Sequence, residues 1–237
     1  MSKRKLLLVF ICVAMALPLV GALLYFVILK GTITAQVVYG LVKLSMLAGP
    51  IVAMITLEKD GLRFASFDWK NLLRAIPLGL LAGGCIAALM LVLYEYSVLG
   101  DYVNRFAGDV RQKAEQLGFL NHYWSFGVFL AVGHSLLEEY YWRWFVFGKL
   151  REFVKSDVSA AMLGSLAFAA HHYVVLGCFF SPLGAVLFGT CVAMGGWMWC
   201  WMYNRQKTLL GCWLSHALVD AMIMYIGYRL IFLKANL

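Results

Sequence analysis

Apolar residues run along this chain in seven long stretches separated by shorter, more polar segments. The stretches cover about residues 6–29, 33–57, 75–98, 123–148, 157–180, 182–203 and 208–233. A helix needs roughly 20 apolar residues to cross the ~30 Å hydrocarbon core of a bilayer. The strands of a membrane barrel would be shorter and would alternate apolar with polar residues. The pattern therefore predicts an all-α, polytopic membrane protein with about seven transmembrane helices.

Two segments between these stretches have an amphipathic composition. Residues 58–74 mix charged and aromatic side chains, which predicts a short helix lying in the membrane interface. Residues 99–122 predict an amphipathic connecting helix whose apolar side chains recur at helical spacing: Phe106, Val110, Ala114 and Leu117. Gly79 and Gly83 are four residues apart in the third stretch, a spacing that allows two helices to approach closely.

The composition excludes a water-soluble fold. The chain has 237 residues, 63% of them apolar and 14% charged, and its mean hydropathy is +0.80. Soluble domains are about 45–50% apolar and about 25% charged. Disordered chains are poor in apolar and aromatic residues, so the same numbers exclude intrinsic disorder.

The net charge of +8 indicates topology and contact with anionic lipids rather than nucleic-acid binding. If the N-terminus is cytoplasmic, the inner connecting segments hold twelve lysines and arginines and the outer segments hold five. This asymmetry fits the excess of positive charge on cytoplasmic loops. We therefore predict a multi-pass protein of a bacterial-type inner membrane with a cytoplasmic N-terminus.

Ionisable residues inside the apolar stretches indicate a functional site, because charged groups are costly in hydrocarbon. Four of the five histidines lie in predicted spans, together with carboxylates. These residues are His134, Glu138, Glu139 and Arg143 in the fourth span, His171 and His172 in the fifth, and His216 and Asp220 in the seventh.

Helical geometry sorts these groups. Glu139 and Arg143 are four residues apart, in the order that favours an ion pair within one helix. Glu138 points about 100° away from Glu139 and needs partners on other helices. At ~1.5 Å of rise per residue, Glu138, His172 and His216 all lie about 14–22 Å from the cytoplasmic ends of their spans. These three side chains are therefore expected to meet in one cavity.

Three short motifs carry a family resemblance. Residues 138–143 read EExxxR, residues 168–172 read FxxxH, and residues 216–220 read HxxxD. In this order on membrane helices, they resemble the CPBP family of intramembrane proteases, which includes the CAAX prenyl endopeptidases and bacteriocin-processing or immunity proteins. The resemblance covers roughly residues 123–225.

The resemblance implies a role for each motif residue. Glu138 and His172 would activate a water molecule for attack on a peptide carbonyl, and Glu139 with Arg143 would support the site. His216 and Asp220 would form the oxyanion side. Many family members have Asn at the position of Asp220, and an ionised aspartate cannot donate a hydrogen bond, so Asp220 is expected to orient His216 or to keep it protonated.

Two histidines leave alternatives open. Either His171 or His172 can face the cavity, and the spacing from Phe168 favours His172. His134 has no place in the family pattern and is either a supporting or a structural residue.

The resemblance also raises the question of a metal ion. No cofactor is favoured, because HExxH is absent from the sequence and the possible ligands lie on three separate helices. A metal-free, glutamate-dependent mechanism is therefore preferred. The alternative is a catalytic zinc ion with water as its fourth ligand and three protein ligands, Glu138, His172 and His216.

The sequence therefore predicts an intramembrane endopeptidase that acts on a membrane-anchored or C-terminally modified polypeptide. Residues 1–237 form one membrane domain, in which 1–122 are scaffold spans and 123–233 the catalytic bundle. One alternative is a proton- or ion-coupled transporter that uses the same groups as a relay, although the internal repeats typical of transporters are absent. The other is a non-catalytic interaction or immunity protein whose polar groups only join helices.

Overall fold

The computed structural model describes residues 2–58 and 69–234, and within these ranges the chain is helical and contains no strand. In chain order the α-helices are α1 (Lys3–Leu23), α2 (Ile33–Leu57), α3 (Trp69–Tyr96), α4 (Val98–Asn104), α5 (Ala107–Gln116), α6 (Tyr123–Val128), α7 (Ser135–Glu139), α8 (Gly148–Leu150), α9 (Asp157–Gly177), α10 (Pro182–Gln206) and α11 (Leu210–Tyr228). Sections of π-helix cover Leu24–Ile28, Phe129–His134, Tyr140–Phe147 and Arg229–Lys234, and a 3₁₀ turn covers Leu120–His122.

Among the described residues, six helices are long and apolar enough to cross a membrane. They are Lys3–Ile28, Ile33–Leu57, Trp69–Tyr96, Asp157–Gly177, Pro182–Gln206 and Leu210–Lys234. They correspond to six of the seven predicted spans. The prediction of an all-α, polytopic membrane protein is confirmed.

The predicted fourth span has an irregular backbone. It is helical from Tyr123 to Leu150, but two π-helical sections separate α6, α7 and α8. Short π-helical sections occur mostly as single turns and are frequent at functional sites. Glu138 and Glu139 end α7, the short α-helix between the two sections.

Hydroxyl side chains mark the starts of four spans, and at the first of them Ser2 accepts from the backbone N–H of Lys5 at 3.4 Å. The backbone N–H groups of Ala35, Ser159 and Gly184 donate to the side chains three residues before them, at 3.1, 3.1 and 3.3 Å. The accepting residues are Thr32, Ser156 and Ser181. Each cap satisfies an amide that the first helical turn leaves without an intrahelical partner.

The two predicted amphipathic segments have different outcomes. Residues 59–68 of the predicted interfacial helix lie outside the described residues, and 69–74 form the first turns of α3. The predicted connecting helix at 99–122 consists of two helices, α4 and α5, which are separated at Arg105 and Phe106. Val110 and Ala114 are buried as predicted, whereas Leu117 is exposed.

The chain forms two compact units. The first comprises Met1–Trp69 and Leu137–Lys207, and α9 packs against both α10 and α1. The Tyr141 hydroxyl donates to the carbonyl of Ala14 at 2.7 Å and so joins the π-helical section to α1. One hydrophobic core cluster of this unit contains Leu7, Ile11, Phe147, Leu150, Ala160, Ala161 and Cys200.

The second unit comprises Lys70–Leu136 and Thr208–Leu237. In it α3 and α11 approach closely at the two glycines identified in the sequence. A Cβ atom added at Gly79 would lie 2.6 Å from the Gly211 carbonyl oxygen, and one added at Gly83 would lie 2.8 Å from Ser215 Cα. The predicted close approach of two helices at these glycines is confirmed.

Gly83→Ala is expected to destabilise the protein, because its new methyl group would overlap the backbone of α11. Overpacking of this kind typically costs about 1–3 kcal/mol. The control is Gly84→Ala, since a Cβ at Gly84 meets nothing within 4 Å and alanine favours a helix over glycine. Thermal unfolding in detergent should show a lower midpoint for Gly83→Ala alone, and equal midpoints would contradict the close packing.

Candidate active site

Two adjacent glutamates are the most deeply buried carboxylates among the described residues of the first unit. Glu138 is 1% exposed and Glu139 is 0% exposed. Glu139 Oε1 lies 3.1 Å from an Arg143 Nη atom, and Arg143 is itself 1% exposed. The predicted ion pair between residues four apart is confirmed, and it is fully removed from solvent.

Aromatic rings hold the Arg143 guanidinium in place. Its central carbon lies 4.5 Å from the centroid of the Phe168 ring and 5.0 Å from that of Trp199. Cation–π contacts are strongest where water is excluded, at about 2 kcal/mol. Phe168 therefore has a physical role in the FxxxH motif, because it contacts the arginine of the EExxxR motif.

Both neighbouring histidines of α9 lie beside Glu138. His171 Nε2 is 3.5 Å from Glu138 Oε1, and the centroids of the His171 and His172 rings are 4.0 Å apart. His171 is buried and His172 is half-buried. The spacing argument favours His172 alone, whereas the structure places His171 in the same group.

A backbone contact orients His172. Its Nδ1 lies 3.1 Å from the carbonyl oxygen of Phe168, one turn earlier in α9. Because a carbonyl oxygen only accepts, Nδ1 is the donor in this bond. The proton on Nδ1 leaves Nε2 as the basic nitrogen of the neutral ring.

Trp142 is a site residue that the motif analysis omits. Its indole lies parallel to the His171 ring, at 4° and 6.3 Å between centroids, and packs edge-on against Phe168. Trp142 follows Glu138 by four residues, so helical spacing is the signal that would have found it. It forms an apolar wall beside the carboxylate and the imidazoles.

Helix α2 also contributes to the electrostatic environment of Glu138. Coulombic interactions join the Glu138 carboxylate to Tyr39 and to Lys43. The Lys43 Nζ atom lies 5.3 Å from the centroid of the Tyr39 ring. Neither residue belongs to a family motif, and the sequence signal for Lys43 is a lysine in the middle of an apolar stretch.

The remaining predicted residues lie in the second unit. His216 Nε2 is 3.7 Å from Asp220 Oδ1, one turn away on α11, and His216 is 4% exposed. This distance permits an electrostatic interaction but exceeds a normal hydrogen bond. His134 ends the π-helical section Phe129–His134 and is half-buried. The structure thus groups Glu138, His171 and His172 in one unit, and pairs His216 with Asp220 in the other.

A set of potential metal ligands exists in the first unit. One ligand atom each from Glu138, His171 and His172 lies within 4.8 Å of the others, in a search of the described residues. Zinc binds such nitrogen and oxygen atoms at about 2.0–2.2 Å and keeps an open position in catalytic sites. The donor types are ones that zinc accepts. This set includes His171, which the sequence-derived ligand set does not.

Comparison with known proteins shows what this region is similar to. Residues 120–222 match the family model described as Rce1-like, type II CAAX prenyl endopeptidase Rce1-like. No curated protein and no solved structure matches the chain. The matched residues contain all three motifs. The segment 120–222 is therefore similar to the Rce1-like CAAX prenyl endopeptidases, which supports a CAAX-type endopeptidase activity in an integral membrane protein.

Proposed function

We propose that this protein is an intramembrane endopeptidase in which Glu138 is the general base and His172 assists it. The observation that carries the proposal is a fully buried carboxylate with two imidazoles beside it, within the family-matched segment. A positioned carboxylate is a suitable acceptor for a proton from water, and the two imidazoles beside it are able to hold that water. General bases of this kind typically accelerate a reaction by about 10²–10⁴-fold.

In the proposed reaction, Glu138 takes a proton from a water molecule as the water attacks the peptide carbonyl. His172 orients that water through Nε2, since Nδ1 is bonded to the Phe168 carbonyl. Glu138 then returns the proton to the amine that leaves. The ion pair of Glu139 with Arg143 keeps the second glutamate out of this chemistry.

The oxyanion side of the proposed mechanism rests on the family resemblance. It assigns the developing negative charge to His216, with Asp220 as the group that orients this imidazole or keeps it protonated. The separation of 3.7 Å between His216 Nε2 and Asp220 Oδ1 supports an electrostatic role for the aspartate. Loss of one oxyanion donor commonly costs about 10²–10³-fold in rate.

The proposed substrate is a membrane-anchored polypeptide modified near its C-terminus. The family name specifies a prenylated CaaX sequence, in which the lipid is attached to the cysteine. The proposed location is a bacterial-type plasma membrane with the N-terminus in the cytoplasm. The supporting observation is the distribution of lysine and arginine along the sequence.

A chelator separates the glutamate-dependent mechanism from a zinc-dependent one. We expect purified protein to keep its cleavage activity after treatment with a zinc chelator, and His172→Ala to lower that activity by roughly 10²–10⁴-fold. The measurement is hydrolysis of a farnesylated CaaX peptide in detergent micelles. Loss of activity on chelation, with recovery on added zinc, would instead assign Glu138, His171 and His172 to a metal centre.

A further inference from the structure

Lys43 is an interior cation that the proposed chemistry leaves without a role. A lysine in the middle of a span is costly and is functional by default. Within the described spans of the first unit, the other interior cation is Arg143, which is fully buried and ion-paired with Glu139. Lys43 is half-buried on α2.

The contacts of α2 place Lys43 close to the depth of Glu138. The Tyr140 hydroxyl donates to the Leu47 carbonyl at 3.0 Å, and farther along both helices Lys149 Nζ forms an ion pair with Glu58 at 2.8 Å. Residue numbers rise in both segments between these two contacts. The two helical segments therefore run side by side in the same direction.

Counting residues back from the contact between Tyr140 and Leu47 gives the position of Lys43 relative to Glu138 along the helix axes. Lys43 precedes Leu47 by four residues, and Glu138 precedes Tyr140 by two. At ~1.5 Å per residue, these offsets correspond to ~6 Å and ~3 Å, so the two residues differ by only ~3 Å along the helix axes. The electrostatic interaction between Glu138 and Lys43 agrees with this register.

The ring of Tyr39 directs the lysine side chain. Tyr39 lies one turn before Lys43 on α2, and its ring centroid is 5.3 Å from Lys43 Nζ. Tyr25 packs against Tyr39 with 4.8 Å between ring centroids. A cation over an aromatic face is stabilised where water is scarce, and so the ammonium group stays at this depth.

We propose that Lys43 is a specificity-determining residue that binds the C-terminal carboxylate of the substrate. This inference rests on the proposed endopeptidase function. A CaaX substrate ends three residues after its modified cysteine, and three extended residues span about 10 Å. A substrate bound at Glu138 therefore brings a carboxylate into the membrane near Lys43, and burying that anion without a partner would be costly.

Lys43 offsets the repulsion between two negative groups, the Glu138 carboxylate and the C-terminal carboxylate of the substrate. Glu138 must stay anionic to act as a base, and it repels a second carboxylate in a medium of low polarity. A cation that interacts with both negative groups removes this repulsion. Peptides with a free C-terminus are therefore selected over internal or blocked sequences.

The test compares two farnesylated CaaX peptides of identical sequence, one ending in a free carboxylate and the other in a carboxamide. The full chain in detergent micelles should cleave the free acid with a KM about 10–100-fold lower, the range expected for a hydrogen bond to a charged group. In Lys43→Met this difference in KM should disappear, and in Lys43→Arg it should persist. The control Lys30→Met changes a lysine in the turn between the first two spans and should keep the preference.

Other outcomes would overturn either this inference or the proposed function. Equal loss of kcat for both peptides in Lys43→Met would overturn the inference, because Lys43 would then act on Glu138 alone. A wild-type protein that cleaves both peptides equally well would overturn it too. Cleavage of neither peptide by wild type would contradict the proposed function itself. Should Lys43→Met fail to fold, inhibition of wild type by the free-acid product tripeptide, compared with its amide, gives the same answer.

Discussion

Glu138→Gln is expected to lower the rate of peptide cleavage by roughly 10²–10⁴-fold, the contribution of a positioned general base. Glutamine preserves the size of the side chain but cannot take a proton from water. Glu138 is 1% exposed, so the change also removes a charge from a buried position. The variant should therefore unfold at a temperature equal to or above that of wild type, since a neutral group costs less to bury. The measurements are peptide hydrolysis and thermal unfolding on the same preparation.

The matched control for this variant is Glu152→Gln, which makes the same chemical change at a residue of the same unit whose side chain is 48% exposed. This control should keep the activity of wild type. A Glu138→Gln protein that folds and cleaves at the wild-type rate would remove Glu138 from the mechanism. A protein that is inactive only because it has unfolded would show this in its thermal transition.

Glu139→Gln is expected to cause a large loss of stability. In contrast, Glu138→Gln is expected to lower the activity and to keep the stability. The side chains of Glu139 and Arg143 are 0% and 1% exposed, and their charged atoms are 3.1 Å apart. Removing one partner of a buried pair leaves an uncompensated charge, which typically costs about 3–5 kcal/mol. Thermal or denaturant unfolding in detergent should show this loss directly.

Two further variants test whether burial of the ion pair between Glu139 and Arg143 causes this loss of stability. Asp157→Asn removes a partner from the more exposed pair with Arg151, and exposed pairs contribute about 1 kcal/mol or less. The double variant Glu139→Gln with Arg143→Met removes both buried charges and should recover part of the lost stability. If Glu139→Gln unfolds at the same temperature as wild type, the ion pair is not what holds the EExxxR motif in place.

The fold was predictable because a bilayer leaves few choices. Each spanning segment must satisfy its backbone groups internally, so that long apolar stretches become helices. The predicted boundaries agree with the structure for α2 and differ by a few residues elsewhere, as at the start of α3, which begins at Trp69 rather than near residue 75. The π-helical sections around α7 were not predictable from apolar spacing, because the change from i→i+4 to i→i+5 hydrogen bonds leaves the composition unchanged.

The part of the site that lies within a single helix was also predictable. The ion pair of Glu139 with Arg143 follows from helical spacing within one segment, and the structure contains it. The grouping of His171 with Glu138 joins α7 to α9. It depends on the rotation of each helix about its own axis, and spacing within either helix does not specify that rotation.

By itself the sequence determined the class of protein and the approximate limits of most of its membrane helices, and it carries the motifs by which the segment 120–222 resembles the Rce1-like family. These follow from apolar runs and from motifs within single helices, which need no knowledge of packing. Only the tertiary structure decided that Phe168 contacts Arg143, that both histidines of α9 lie at Glu138, and that α2 brings Lys43 to the same depth. The physical reason is that such contacts join different helices, and their geometry is set by how the helices pack against one another.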